Sequence, residues 1–236
     1  MITADLVQRR ITNFWGYGSF EAPVWYVGIQ EALGSETDPT ERFLATDGKT
    51  TVDIRRDMAR ALHHLAWFVP PAPKIQPNFK YPISLHLYFK YGRAATREDV
   101  RAYQLSALGD IEQKDSLVLD LMPLPNYSTS DEDWKWSDYV GTKEQYLDKY
   151  KPERVRRLAS FIETHHPRLV IFHSVGYLAD WCEVTRTSFR QISRQMFFAV
   201  SNGSAFCVIP NGNSRGMSYD RLYEFAERVR PHVSLT

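Results

Sequence analysis

Gln30 and Glu31 are the first residues in the chain whose types and placement point to chemistry. They follow Gly28 at the end of a short apolar run, in the stretch VWYVGIQEALG. That run is too short for a helix, is rich in β-branched and aromatic residues, and starts after Pro23, so it reads as a buried strand. A polar pair just past the C-terminal end of such a strand is where open α/β sheets place ligands. Asp120 interrupts a second apolar run, SLVLDLM, and a carboxylate in a buried strand needs a partner. His173 closes a third run, LVIFH, and Asn211 and Asn213 open the turn NGNSRGM after a fourth. Each has a plain structural alternative: helix caps at Gln30 and Glu31, a satisfied carboxylate at Asp120, a strand-end core residue at His173, and ordinary turn asparagines.

Two further groups carry possible chemistry. The loop PLPNYSTSDEDWKWSDY sets Trp134 and Trp136 among charges, where they either stack on a flat ligand or anchor the loop. Arg186, Arg190 and Arg194 recur at helical spacing, as a stripe facing phosphate or simply solvent. The spacing of cysteines and histidines matches no zinc site, and Cys182 and Cys207 read as reduced core thiols of a cytoplasmic protein. The formal net charge of +1 gives no bulk argument for nucleic acid, although a local basic groove is compatible with it. No stretch reads as a signal core or a membrane span.

The elements that must position these residues follow from pattern. The 236 residues suit a single domain, with aromatic residues at 14%. Helices are expected after the cap at Thr3, over 50–68, after the capping box at Thr96 and Asp99, from Pro152 in its first turn, from Gly176, and from Ser218. The segment from Ile83 to Tyr91 alternates like a strand yet leads into helix. Asn202-Gly203 marks a hairpin. Strands separated by helical crossovers predict a three-layer α/β/α domain with a central, mainly parallel four-stranded sheet. A helical insertion at about 35–115 separates the first two strands. Right-handed crossovers bring four polar turns to one edge, at 28–34, 123–130, 173–177 and 210–217.

With those turns in place, the chain resembles the uracil-DNA glycosylase superfamily. VGIQEALG is similar to the GINPG and GMNPG forms of its first motif, with Gln30 where the family holds its water-positioning residue and Glu31 in place of proline. VLDLMPLPN puts Asp120 at the base-reading asparagine, followed by Pro123. IPNGNSRGM puts Asn211 at the leaving-base residue of the last motif, with Asn213, Ser214, Arg215 and Met217 behind it as DNA-contacting and wedge positions. The resemblance spans most of the chain through three short, diverged motifs. It implies a monofunctional hydrolase without cofactor: two cysteines are too few for the iron–sulfur branch, and no lysine in the motifs supplies a Schiff base.

The resemblance further implies base flipping, an oxocarbenium-like sugar, and water held by Gln30 or Glu31, with Glu31 preferred as general base. Gly28, Asp120, Pro123, His173, Trp134 and Trp136 would surround the base, and Arg186, Arg190 and Arg194 would meet phosphate. Asparagine offers one donor and one acceptor to uracil, whereas an ionised aspartate is acceptor-only and suits the amino group of cytosine. The expected partner is therefore DNA carrying a modified cytosine, as in the anti-phage branch that excises glucosylated hydroxymethylcytosine. Uracil or mismatch excision, and a non-catalytic nucleic-acid-binding module, are the alternatives.

Overall fold

The computed structural model describes residues 2–33, 38–58, 65–68, 74–127, 134–212 and 214–235. The strands among them are β1 (Gly16–Gly18), β2 (Val24–Ala32), β3 (Thr51–Val52), β4 (Ser116–Asn126), β5 (Leu169–Phe172), β6 (Arg190–Ser193), β7 (Met196–Ser201) and β8 (Ser204–Val208). They form one mixed sheet in the order β3-β1-β4-β2-β5-β8-β7-β6. Its middle neighbours β4, β2, β5 and β8 run parallel, while β1 is antiparallel to β4, and β7 is antiparallel to both β8 and β6. The sheet is thus wider than the expected four strands. The additions are β1, β3 and β6, short outer strands whose sequences, GYG, TV and RQIS, lack an apolar run, and β7, the apolar first strand of the hairpin at Asn202-Gly203.

The described helices are α1 (Ala4–Asn13), α2 (Thr40–Thr46), α3 (Leu65–Phe68), α4 (Lys80–Tyr91), α5 (Arg97–Ser106), α6 (Ser137–Val140), α7 (Lys143–His165), α8 (Leu178–Thr185) and α9 (Tyr219–Val229). Strand alternation divides the core in two. Val24 and Tyr26 of β2 face a core shared with α4, α5 and α9. Trp25 and Val27 face one shared with α1, α7 and α8. Helices therefore cover both faces of the sheet, and none described is long and apolar enough to cross a membrane. Both cysteines are free thiols, Cys207 buried and Cys182 half-buried.

Several local expectations change. Gln30 and Glu31 do not lie in a turn: β2 runs on through them, paired with β4 as far as Asn126 across an irregularity between Gln30 and Ala32. Ile83–Tyr91 is helical, within α4, and its strand-like alternation reflects a helix buried on nearly every side. The expected helix over 50–68 is instead β3, a π-helical turn (Ile54–Met58) and α3; Ala61 and Leu62 lie outside the described residues. Pro152 is interior to α7, which starts earlier at a capping box formed by Thr142 and Gln145. Arg186, Arg190 and Arg194 share no helix: Arg186 caps α8, Arg190 begins β6, and Arg194 follows it.

Candidate active site

The parallel register builds the site. Gly28 of β2 is paired with Asp120 of β4, and Val27 with Phe172 at the end of β5, so His173 is the next residue along. Val118, Tyr26 and Ile171, two residues earlier on each strand, all point into the α4 core. Period-two alternation then turns Asp120, position 28 and His173 toward that same side, at the C-terminal edge of three neighbouring strands. Only glycine fits between the two side chains. A β-carbon at Gly28 would overlap the Asp120 carboxylate and lie 2.9 Å from His173 Cε1 and 3.2 Å from its Nε2. Carboxyl and imidazole thus meet over bare backbone.

Phe79, just before α4, sets its ring edge-on to His173, with centroids 6.3 Å apart. The turn after β8 closes the other side. Gly212 sits so tightly on the Pro77 carbonyl that a β-carbon there would overlap it. Half-buried Asn211 precedes it, its carbonyl accepting the Ser214 amide at 2.9 Å. Beneath the site, Tyr26 Oη lies 2.6 Å from His86 Nδ1, a buried pair holding α4 on the sheet.

The electrostatics set two unlike groups side by side. Burial, reinforced by the charge of Glu31, pushes the Asp120 carboxyl up to about 7, against the pull of Arg10, Arg154 and Arg42. Burial pushes the His173 imidazole down to about 4, so it is neutral at pH 7. Its Nδ1 is buried with no hydrogen-bond partner among the described residues, an arrangement a ligand or water can satisfy. A carboxyl titrating near neutrality can donate or accept a proton, and a neutral imidazole beside it can do either through hydrogen bonds without adding charge.

Glu31 is engaged elsewhere. Its Oε2 lies 2.7 Å from Arg10 Nη2 and 2.9 Å from Arg42 Nη1. Arg10 also donates to the Pro123 carbonyl at 2.9 Å and to Thr46 Oγ1 at 2.6 Å, and Arg42 donates to the Ala32 carbonyl. Arg154, from α7, donates to the Leu121 and Asp120 carbonyls and lies 3.4 Å over the Trp15 ring. The strand ends are therefore tied down on the α1 and α7 side by three buried arginines, with Glu31 as the counter-charge of two.

The other expected residues divide by place. Trp136 is buried in the core, donating to the Pro125 carbonyl and stacked on Phe43 at 5.0 Å. Trp134 donates to the Gly141 carbonyl and tilts against Tyr146. Both anchor the residues that lead into α6. Ser214 and Arg215 are exposed, and Met217 packs partly into the core, its carbonyl accepting from Tyr81. Asn213 lies outside the described residues. Arg186 pairs with Glu163 and lines a recess with Asn202 and Ser204, at the N-terminal end of β8 and away from the site. Exposed Arg190 begins β6 level, across β7, with Cys207 near the C-terminal end of β8, and Arg194 follows β6, accepting at its carbonyl from Arg221.

No group of three or more histidine, cysteine or acidic residues among the described ones is placed to hold a metal ion. No protein-family model and no curated protein sequence matches the chain. The sequence reading missed Arg10, Arg154 and Phe79. The first two had a signal, an arginine set within the apolar stripe of Leu6, Val7 and Ile11 or beside Val155 and Leu158. Phe79 had none, because an aromatic before a helix is ordinary.

Proposed function

We propose that the chain is a monofunctional DNA glycosylase that removes a cytosine-type base carrying an added group, such as glucosylated hydroxymethylcytosine in phage DNA, within the cytoplasm. The observation that carries this reading is the row of Asp120, Gly28 and His173 at the C-terminal edge of adjacent strands. A flipped base lies over Gly28 between the two side chains. Cytosine presents an amino donor beside a ring-nitrogen acceptor. A neutral carboxyl complements both, accepting from the amine and donating to the nitrogen, and an ionised one still accepts from the amine. Proton donation from Asp120 to the base also makes it a better leaving group.

The N-glycosidic bond breaks as the base departs with its electron pair, leaving an oxocarbenium-like sugar. Water adds to the sugar carbon and passes its proton to the Asp120 carboxylate left by protonation of the base, or to solvent where the base departs as an anion, so the products are the free base and an abasic sugar. Water adding to such a cation acidifies as its bond forms, and a positioning group suffices. Gln30, on the same side of β2 as Gly28 by alternation, takes that role. Glu31, neutralised by Arg10 and Arg42, acts by holding the strand end. Asn211 donates to charge developing on the base.

The position of the Asp120 titration also favours a second reading, excision of uracil, because a neutral carboxyl complements uracil too. Excision assays on duplexes carrying uracil, cytosine, hydroxymethylcytosine and its glucosylated form, at about pH 6 and about pH 8, separate the two. The glucosylated base is expected to be cut at both values, and uracil, if at all, only at the lower. Uracil as the sole substrate at both values defeats the proposal.

A further inference from the structure

Next to the site runs a second recess, of about 750 Å³, lined by Trp67, Lys74, Lys80, Arg97, Tyr219 and Tyr223 among others. Three cations and three aromatic rings are among its lining residues, and none of the described lining residues is acidic. Its walls are fixed. Gln104, fully buried on α5, donates to the Trp67 and Lys74 carbonyls and accepts from the Gln76 amide, tying two segments of the insertion to one helix. Opposite, Tyr219 stacks on Tyr223 and Tyr223 on Tyr88, with the Tyr223 hydroxyl bonded to Ala95. Tyr219 remains 40% exposed, so part of its ring is open to a ligand.

The recess is continuous with the site through one segment. Pro77 lines it, and its carbonyl abuts Gly212 of the turn after β8; Phe79, two residues on, faces His173. We infer that this recess holds a single-stranded stretch of nucleic acid flanking the base in the site, with Lys74, Lys80 and Arg97 on phosphates and Tyr219 and Trp67 on bases. Cationic grooves interleaved with aromatic faces bind single strands in this way, because every base has a π-face and every linkage a charge. An acidic peptide would satisfy the cations but leave the aromatic wall unused. The inference rests on the proposed function, and it adds an unpaired strand beside the flipped base.

The test is fluorescence anisotropy with a labelled oligothymidine that contains no modified base. Lys80 and Arg97 are first residues of α4 and α5, where an acidic side chain suits the helix dipole, so the double variant K80E/R97E should fold. The wild type is expected to bind the oligonucleotide with strong salt dependence. The double variant should bind at least tenfold more weakly, its log–log salt slope smaller by about 1.4, the value for two single-strand phosphate contacts. Tyr219→Ala should weaken binding roughly tenfold through lost stacking while leaving the salt slope unchanged. Lys149→Glu, on α7 across the sheet, should do neither. Unchanged binding in K80E/R97E, or displacement of the oligonucleotide by polyglutamate as readily as by unlabelled DNA, overturns the inference. Its fate is separable from that of the enzymatic reading. Groove-dependent binding with no excision of any modified base sinks the glycosylase and keeps the groove, and excision with unaltered binding does the reverse.

Discussion

Gly28 is where the site is most sensitive. Its missing side chain lets the Asp120 carboxyl and the His173 imidazole close over the strand, so an added β-carbon would have to displace both. Gly28→Ala is therefore expected to push the pair apart, costing about 1–3 kcal/mol of stability as an overpacked site and abolishing excision. Gly176, where an added β-carbon would meet nothing within 4 Å, is the control: Gly176→Ala should retain activity. Normal excision by Gly28→Ala would show that substrate does not bind over this glycine. Asp120→Asn tests the neighbouring residue. An amide cannot give up a proton, and its fixed donor and acceptor also fit uracil. Excision of the modified cytosine should fall by about 10²–10⁴-fold, the range lost with a general acid, and any uracil excision should lose its preference for low pH.

Among elements, the ends of β2 and β4 are held by charge as well as by apolar packing. Arg10 from α1 and Arg42 from α2 converge on Glu31, and Arg154 from α7 caps the Leu121 and Asp120 carbonyls. Glu31→Gln leaves two buried guanidinium groups facing each other without a counter-charge, which is expected to cost about 3–5 kcal/mol. A fall in the melting temperature with partial activity in the surviving fold fits this clamp; lost excision at an unchanged melting temperature would make Glu31 the general base. This clamp was also the hardest part to read from sequence. The strands of the site were legible because VWYVG, SLVLDLM and LVIFH are apolar runs ended or interrupted by a glycine or a polar residue, and their order brings Gly28, Asp120 and His173 to one edge. The role of Glu31 was not legible, since a carboxylate at a strand end looks alike whether it meets water or arginine, and its partners lie 21 residues before and 11 after. Trp136 was open between two roles for a related reason. Charged neighbours fit ligand stacking and loop anchoring alike, and the anchor, Phe43, lies in a distant segment.

At the scale of the whole molecule, the same buried groups should shape stability against acid. Burial holds His86 and His173 down at about 4 against an ordinary 6.5. The unfolded chain binds protons on them that the fold refuses, so their contribution is complete above pH 6.5 and lost as pH falls toward 4. Asp120 acts in the opposite direction. Its carboxyl, raised from 3.8 to about 7, keeps a proton in the fold that the unfolded chain releases, so its contribution is complete below 3.8 and lost as pH rises through 7. Asp99 is held low by Arg93, and Asp115, against its own burial, by Lys90 with Tyr103; both act only below this window. Between about pH 4.5 and 6, two histidines oppose one carboxyl, and the unfolded state binds about one proton more. Stability should then rise by about 1.4 kcal/mol per pH unit. Asp120→Asn removes the opposing group, and the slope should approach twice that value. Urea unfolding at several pH values across the window measures both slopes. Equal slopes in the two proteins would mean that Asp120 is already ionised in the fold, leaving it no proton to give the departing base.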